Sequence, residues 1–161
     1  MEIIQYRPIG VVHTGFKEPK GTPIQFAGSK NAPGEIVIFP EFAEGLEDLE
    51  EFSHLILLTH LHLTKNRSLK VIPFMDDIEH GIFATRSPAR PNPIGFSIVR
   101  LKKIENNRLF IEDVDIVDGT PLLDIKPYVP EFDRHTDIRI GWLEQVRGAV
   151  WTKQSDDRFK S

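Results

Sequence analysis

Apolar and polar positions alternate over several short stretches of the chain, and proline, glycine or asparagine separates one stretch from the next. β-Branched and aromatic residues fill these stretches, a composition typical of strands. The stretch 53–63, SHLILLTHLHL, is nearly continuous in apolar residues and predicts a strand buried on both faces. Further strands or extended segments are predicted at 3–16, 35–40, 95–105, 106–119 and 120–133.

Signals for helices are few. Carboxylates precede apolar residues in the stretch 41–55, which predicts a short helix or helical turn before the next strand. Asn106 and Asn107 predict the turn of a hairpin. Short strands joined by turns favour a mainly β fold, a small antiparallel β-barrel or curled sheet, built as one domain over residues 1–150. The polar residues 151–161 are expected to fray.

The composition excludes several classes of site and indicates a cellular location. The chain has 161 residues and no cysteine, which excludes disulfides, thiolate metal sites and a cysteine nucleophile and suits a cytoplasmic location. It has no run of about 18 apolar residues, and its first residues do not have the order of a signal peptide, so no membrane association is expected. Since the net charge is -4, binding to nucleic acid would need a local basic patch.

The loop RSPARPNPIG combines positive charge with stiffness. It contains Arg86 and Arg90, and each of its three prolines fixes one φ angle and restricts the residue before it. Stiffness of this kind lowers the entropy that a binding loop loses when it captures a ligand. The pattern is consistent with a rigid turn or with a binding loop for a negatively charged group.

Three histidines, His54, His60 and His62, have even spacing and would share one face of an unbroken strand. Eight residues of strand span about 26 Å, so only His60 and His62 could share an ion. Zinc needs three or four protein or water ligands, so this pair alone does not predict a metal. A metal-dependent hydrolase using the pair is kept as one alternative, and a place for His62 in a ligand pocket as another.

Asp124 lies between apolar residues, where an isolated carboxylate would be costly to bury. We therefore expect it to have a cationic partner, for which Arg86, Arg90 and Lys126 are candidates. The glycine-rich phosphate loop, the GxGxxG dinucleotide motif and the GxSxG nucleophile motif are all missing from the sequence. Their absence argues against the common Rossmann-like and P-loop nucleotide enzymes.

Five segments, taken in order, resemble one family. They are PIGVVHTGF, LEEFSHLILL, GIFATRSPARPNPIGFSIVRL, DGTPLLDIKPYVPEFD and IRIGW. Over about residues 6–145 the chain resembles the TsaA-like tRNA methyltransferases, which use S-adenosylmethionine to methylate the exocyclic amine of threonylcarbamoyl-adenosine beside the anticodon. The resemblance implies a small β-barrel that is not Rossmann-like, and a homodimer with the cofactor near the subunit interface. It also implies a short form of the family, without the carboxy-terminal domain of the longer bacterial members.

The same resemblance implies site residues. The cofactor pocket would be lined by Pro23, Ile24, Gln25, His62, Leu63, Arg86, Phe96, Leu122, Leu123, Asp124 and Ile125. Arg86 is the candidate partner for the cofactor's carboxylate. The candidates for the proton acceptor are Asp124, His62 and Tyr128, and those for phosphate contacts to the tRNA substrate are Lys65, Arg67, Lys70 and Arg90. A cofactor-binding sensor or adaptor without catalysis is the alternative function.

Overall fold

The computed structural model describes residues 2–19 and 29–146, and this part of the chain is built mainly of short strands. They are β1 Gly10–Thr14, β2 Gly34–Ile38, β3 His54–His60, β4 Lys70–Val71, β5 His80–Gly81, β6 Ile94–Glu105, β7 Arg108–Glu112 and β8 Thr120–Pro127. Its helices are the short 3-10 segments Pro40–Leu46, Leu49–Glu51, Ile82–Ala84 and Gly141–Val146 and the α-helical turn Pro130–Asp133. None of the helices in the described residues could cross a membrane, since each is too short and too polar.

Six of the strands close into an antiparallel barrel in the order β1, β2, β7, β6, β3, β8, which returns to β1. The predicted mainly β barrel is therefore confirmed. The turn between β6 and β7 consists of Asn106 and Asn107, as the sequence predicts, with Asn106 in the left-handed conformation at a φ of 55°. The carboxylate-rich stretch 41–55 also forms the helical turns that were expected before β3.

The core lies inside the barrel and is filled by Val, Ile and Leu side chains from every barrel strand. In β3 the buried residues alternate with half-buried ones, so Leu55 and Leu57 point inward while Ile56 and Leu58 lie on the outer face. The prediction that this strand is buried on both faces is thus wrong for its outer face. A barrel of six strands has an interior that its own side chains fill, so the outside is left for ligands.

The strand predicted from residue 3 begins only at Gly10. Pro8 has no N–H to donate to a ladder, and pairing starts just after it, where the N–H of Ile9 donates to the carbonyl of Leu122 at 2.8 Å. Ile3 and Tyr6 therefore remain exposed. The predicted cofactor residues Pro23, Ile24 and Gln25 and the predicted tail 151–161 lie outside the described residues.

Strand β8 contains a bulge. Asp124 pairs with Leu58, but the next pair along β3 joins Thr59 to Leu122, so that Leu123 is skipped. A bulge places one extra residue in a strand and changes the side to which the following side chains point. Leu122 consequently points into the core, whereas Asp124 lies with Leu58 on the outer face.

Residues 61–93 form a lobe between β3 and β6. The lobe has its own small core of Val71, Ile82 and Ala89 and its own two-stranded sheet, β4 with β5. The N–H of Ser68 donates to the carbonyl of Ala89 at 3.0 Å, which connects the start of the lobe to its proline-rich end. The loop with Arg86 and Arg90 is therefore held by the lobe and leads directly into β6.

Gly95 in β6 occupies a site where a side chain has no room, and this gives a testable prediction. A Cβ atom there would clash with the buried Oγ1 of Thr59 and would lie 2.9 Å from Cδ2 of Leu61. We expect Gly95→Ala to lower the free energy of unfolding by about 1–3 kcal/mol, the usual cost of overpacking. Urea unfolding monitored by circular dichroism measures this change.

Gly45 provides the matched control for Gly95. No atom lies within 4 Å of the Cβ that Gly45→Ala would introduce, so we expect a change within about 0.5 kcal/mol. Equal stability of Gly95→Ala and the parent protein would contradict the tight packing of β6 against β3.

Candidate functional site

Three outer-face residues form a row across the centre of the sheet. Leu58 of β3 pairs with Phe96 of β6 on one side and with Asp124 of β8 on the other. Directly paired residues of antiparallel strands share a face, and strands lie about 4.8 Å apart, so Phe96 and Asp124 flank Leu58 with their Cα atoms roughly 10 Å from each other. The Phe96 side chain is 45% exposed. The row thus offers an aromatic ring and a carboxylate on one open surface.

Arg86 extends from the lobe to this row. Its Cζ atom lies over the ring of Phe96, 5.7 Å from the centroid, in the geometry of a cation–π contact. The two residues are ten positions apart in sequence, and the structure brings together the pair that the resemblance assigned to one pocket. Arg86 is exposed, so its guanidinium is accessible to a bound ligand.

His62 and Leu63 lie just beyond the end of β3. The N–H of Leu61 donates to the carbonyl of Pro93 at 2.8 Å, so this chain end runs beside the start of β6. Burial lowers the pKa of His62, and the nearby His60 lowers it further, while a backbone hydrogen bond with His60 acts in the opposite direction. His62 is therefore a neutral imidazole at pH 7, and a neutral imidazole can accept a proton.

Four predicted cofactor residues in β8 divide between two sides of the sheet because of the bulge. The Leu122 side chain is fully buried, so Leu122 has only backbone atoms to offer a ligand outside, and the partly buried Ile125 packs against the same core. Leu123 and Asp124 are only partly buried. The Asp124 side chain is 43% exposed.

The partner of Asp124 is Lys126, one of the three candidates, whose Nζ lies 2.7 Å from Oδ2. Tyr128 lies at the other end of this surface, where its N–H donates to the carbonyl of His54 at 3.0 Å. Four residues of strand separate His54 from Leu58, a distance of about 13 Å. Asp124 thus lies in the row with Phe96, whereas Tyr128 lies apart from it.

The four predicted RNA contacts all belong to the lobe. Lys65, Arg67 and Lys70 are exposed, with Nη1 of Arg67 donating to the carbonyl of Thr64 at 2.6 Å and Lys70 lying 3.5 Å from Glu79.

Arg90 has a different environment from the other three. It is half-buried, and its Nη1 lies within hydrogen-bond distance of the carbonyls of Ile82, Thr85 and Ser87 at 3.3, 2.8 and 3.4 Å. Of the two roles that the sequence leaves open, these contacts support the structural one, with carbonyl groups in place of an aspartate.

A cluster of side chains that contacts the lobe was not predicted from the sequence. Nε2 of His80 lies 2.9 Å from Oδ2 of Asp76, and this contact lowers the pKa of the Asp76 carboxyl. The His80 ring stacks on Trp142 with centroids 4.6 Å apart, and the Trp142 indole N–H donates to the carbonyl of Ala84 at 2.9 Å. Because 62 residues separate His80 from Trp142, no local sequence pattern could have revealed the cluster.

A second region with concentrated charge surrounds Asp118, between β7 and β8. Its carboxylate accepts from the N–H of Thr14 at 3.0 Å and lies 2.7 Å from Nζ of Lys17, and these contacts lower its pKa to about 2. It lines a shallow cavity of about 390 Å³ together with His13, Gly34 and Glu35. None of the predicted cofactor residues within 2–19 and 29–146 lines this cavity, so we place the candidate site on the outer face around Phe96.

The histidine pair is separated by the end of the strand. His60 is the last residue of β3 and His62 lies beyond it, so the two no longer share a strand face by alternation. Within residues 2–19 and 29–146, no three His, Asp or Glu side chains come together as potential metal ligands. The geometry therefore gives the hydrolase alternative no support.

Comparisons with known proteins agree with the barrel and with the motifs. The family model of the "tRNA-methyltransferase O N-terminal domain" matches residues 11–134. The chain is 57% identical to a Pyrococcus abyssi protein named "Probable S-adenosyl-L-methionine-binding protein", over 99% of this chain and 86% of that protein. It is 39% identical to the Escherichia coli protein named "tRNA (adenine(37)-N6)-methyltransferase", over 92% of this chain and 68% of that protein.

A solved structure has the same fold. The crystal structure of TrmO from Pseudomonas aeruginosa matches with a TM-score of 0.74 and 38% identity, over 88% of this chain and 63% of that one. The present chain thus spans less than two thirds of the length of that solved chain. The resemblance that the motifs indicated is confirmed, and the chain belongs to the tRNA-methyltransferase O family.

Proposed function

We propose that this protein transfers the methyl group of S-adenosylmethionine to the exocyclic amine of threonylcarbamoyl-adenosine next to the tRNA anticodon. The coarser part of this function, S-adenosylmethionine-dependent methylation of tRNA, follows from membership of the family. The finer part, the threonylcarbamoyl-adenosine acceptor, rests on the resemblance of the motifs. A cytoplasmic location remains a prediction.

The observation that carries the proposal is the arrangement of Arg86, Phe96 and Asp124 on one face. S-Adenosylmethionine supplies an activated methyl group on a sulfonium, flanked by an amino acid carboxylate and by adenosine. An exposed guanidinium matches the carboxylate, an open aromatic face matches either the adenine or the cationic sulfur, and a carboxylate accepts from amine or hydroxyl groups. The residues present therefore fit the cofactor.

The acid–base work needed in this reaction is small. The acceptor nitrogen, attached to a carbonyl, has to lose one proton, and most of the rate comes from alignment of the reacting atoms. His62 is the better candidate for the proton acceptor because its lowered pKa keeps the imidazole neutral at pH 7. Asp124 is paired with Lys126 and is better suited to orient the cofactor.

Methyl transfer is tested directly with S-adenosylmethionine labelled in its methyl group. We expect label to enter tRNA that carries the threonylcarbamoyl group and not tRNA that lacks it, with the labelled nucleoside identified by mass spectrometry. Since several archaeal relatives are named only as S-adenosyl-L-methionine-binding proteins, a sensor without catalysis is the second candidate. Tight cofactor binding without transfer to either tRNA would favour the sensor.

Arg86 gives the test of the cofactor site. Arg86→Ala removes the group assigned to the cofactor's carboxylate, so we expect the Kd for S-adenosylmethionine to rise by about tenfold or more, as for loss of a hydrogen bond to a charged group. Calorimetric titration measures the change. Arg100→Ala is the control, because Arg100 lies on β6 with Phe96 but has its guanidinium 3.7 Å from Asp113. An unchanged Kd for Arg86→Ala would remove Arg86 from the site.

The homodimer implied by the resemblance has a candidate surface on the same outer face. Ile56 pairs with Ile98, Leu58 with Phe96 and His60 with Ile94, so three cross-strand rows between β3 and β6 are largely apolar. The outer face of a small barrel is normally polar, and apolar rows on it are typical of a covered surface. A second copy covering these rows would also lie against the cofactor residues.

Ile94→Asp is the test of this dimer surface. A charge buried in an apolar interface loses its hydration, so we expect the parent protein to sediment as a dimer at micromolar concentration and the variant as a monomer. Ile78→Asp, which places the same charge on the exposed lobe, is expected to remain dimeric. A monomeric parent, or a variant that dimerises equally well, would contradict the assignment.

A further inference from the structure

We propose that Phe83 is a stacking platform for an RNA base adjacent to the methylated nucleoside. The inference rests on the proposed function in two respects, that the substrate is RNA and that the cofactor binds around Phe96. Phe83 is 77% exposed, an unusual state for so large an apolar side chain in the middle of a folded lobe. Single-stranded RNA is generally recognised through unpaired bases that stack on aromatic side chains.

The backbone around Phe83 is held from several directions. Ile82 is buried in the core of the lobe, and its N–H donates to the carbonyl of Leu69 at 2.9 Å. The carbonyl of Ile82 accepts from the N–H of Thr85 at 3.1 Å and lies 3.3 Å from Nη1 of Arg90. On the other side of Phe83, the carbonyl of Ala84 accepts from Trp142. The ring is thus presented on a fixed backbone, which reduces the entropy lost on binding.

Positive charge is concentrated in the lobe that carries this ring. Lys70 pairs across β4 and β5 with Gly81, two residues before Phe83, and Lys65 and Arg67 precede it in the same lobe. The lobe, residues 61–93, has five Lys or Arg and three Asp or Glu, a net charge of +2 in a chain whose total is -4. Two of its three carboxylates already face a cationic or imidazole group, Asp76 at His80 and Glu79 at Lys70. The lobe is therefore the part of the described chain suited to face a phosphate backbone.

Phe83 also lies close to the candidate cofactor site. Phe83 and Arg86 are three positions apart in the sequence, so their Cα atoms are at most about 11 Å apart. Arg86 contacts Phe96, which belongs to the outer-face row. A base stacked on Phe83 is then within reach of a nucleotide neighbouring the one that receives the methyl group. This proximity favours RNA over a protein partner as the occupant of the surface.

The experiment measures binding of a fluorescein-labelled anticodon stem-loop RNA to the full chain by anisotropy, without methyl transfer. We expect Phe83→Ala to weaken binding by about tenfold or more, in line with the loss of one stacked base, and Phe83→Trp to bind at least as well as the parent. The slope of affinity against salt should stay unchanged, because stacking releases no counterions, whereas Lys70→Ala should make it less steep. The Kd for S-adenosylmethionine should not change in any of the three variants.

Phe132→Ala is the matched control, since Phe132 is 78% exposed but lies outside the lobe, and it should bind RNA like the parent. Unchanged RNA affinity of Phe83→Ala would overturn the proposal, and so would a change of its oligomeric state in sedimentation, which would assign Phe83 to a protein interface. A parent that binds the RNA through Phe83 but methylates no tRNA would contradict the proposed function alone. A parent that methylates tRNA, with Phe83→Ala equally active at limiting tRNA, would contradict the stacking role alone.

Discussion

The candidate site depends on the register with which β3 pairs with two neighbours. This strand contacts β6 on one side and β8 on the other, so one residue, Leu58, fixes the positions of both Phe96 and Asp124. The bulge at Leu123 is part of the same constraint. Without it, regular alternation would place Asp124 inside the barrel, where an ionised carboxylate would be strongly disfavoured. The bulge brings this carboxylate to the outer face and keeps Leu122 in the core.

Arg86 contacts this row only if the loop that carries it keeps its conformation. Two kinds of interaction restrain the backbone of that loop. Pro88, Pro91 and Pro93 limit the backbone of the loop, and Nη1 of Arg90 lies within hydrogen-bond distance of three carbonyls of the lobe. The small core below the loop adds packing that local residues alone could not provide. The second arginine of the motif, Arg90, thus orders the loop, whereas the first, Arg86, is exposed beside Phe96.

Most of the barrel and part of the candidate site could be predicted from the sequence. Alternating apolar residues and the Asn106-Asn107 turn predict strands correctly because these signals are local. The bulge at Leu123 could not be predicted, since it arises from the pairing of β8 with β3 and leaves no local signal. Likewise the contact of His80 with Trp142 joins distant segments, and only the resemblance, not the spacing, suggested that Arg86 and Phe96 are neighbours.

Because side chains fill the barrel, only the outside of this fold is left for ligands and partners. Val12, Leu57 and Leu109 are among the side chains that leave no room within, so a cofactor, an RNA or a second copy of the chain would each have to bind on the outer surface or on the lobe. RNA and a second copy of the chain need surfaces of different charge and polarity. The apolar rows of β3 and β6 suit a second copy, whereas the basic lobe beside them suits RNA. Because the lobe carries +2 in a chain of total charge -4, the rest of the chain has a net charge of -6 and would repel RNA. Arg86 and Phe96 lie where the two surfaces meet, so a cofactor bound there would be shielded from water by one partner and approached by the other.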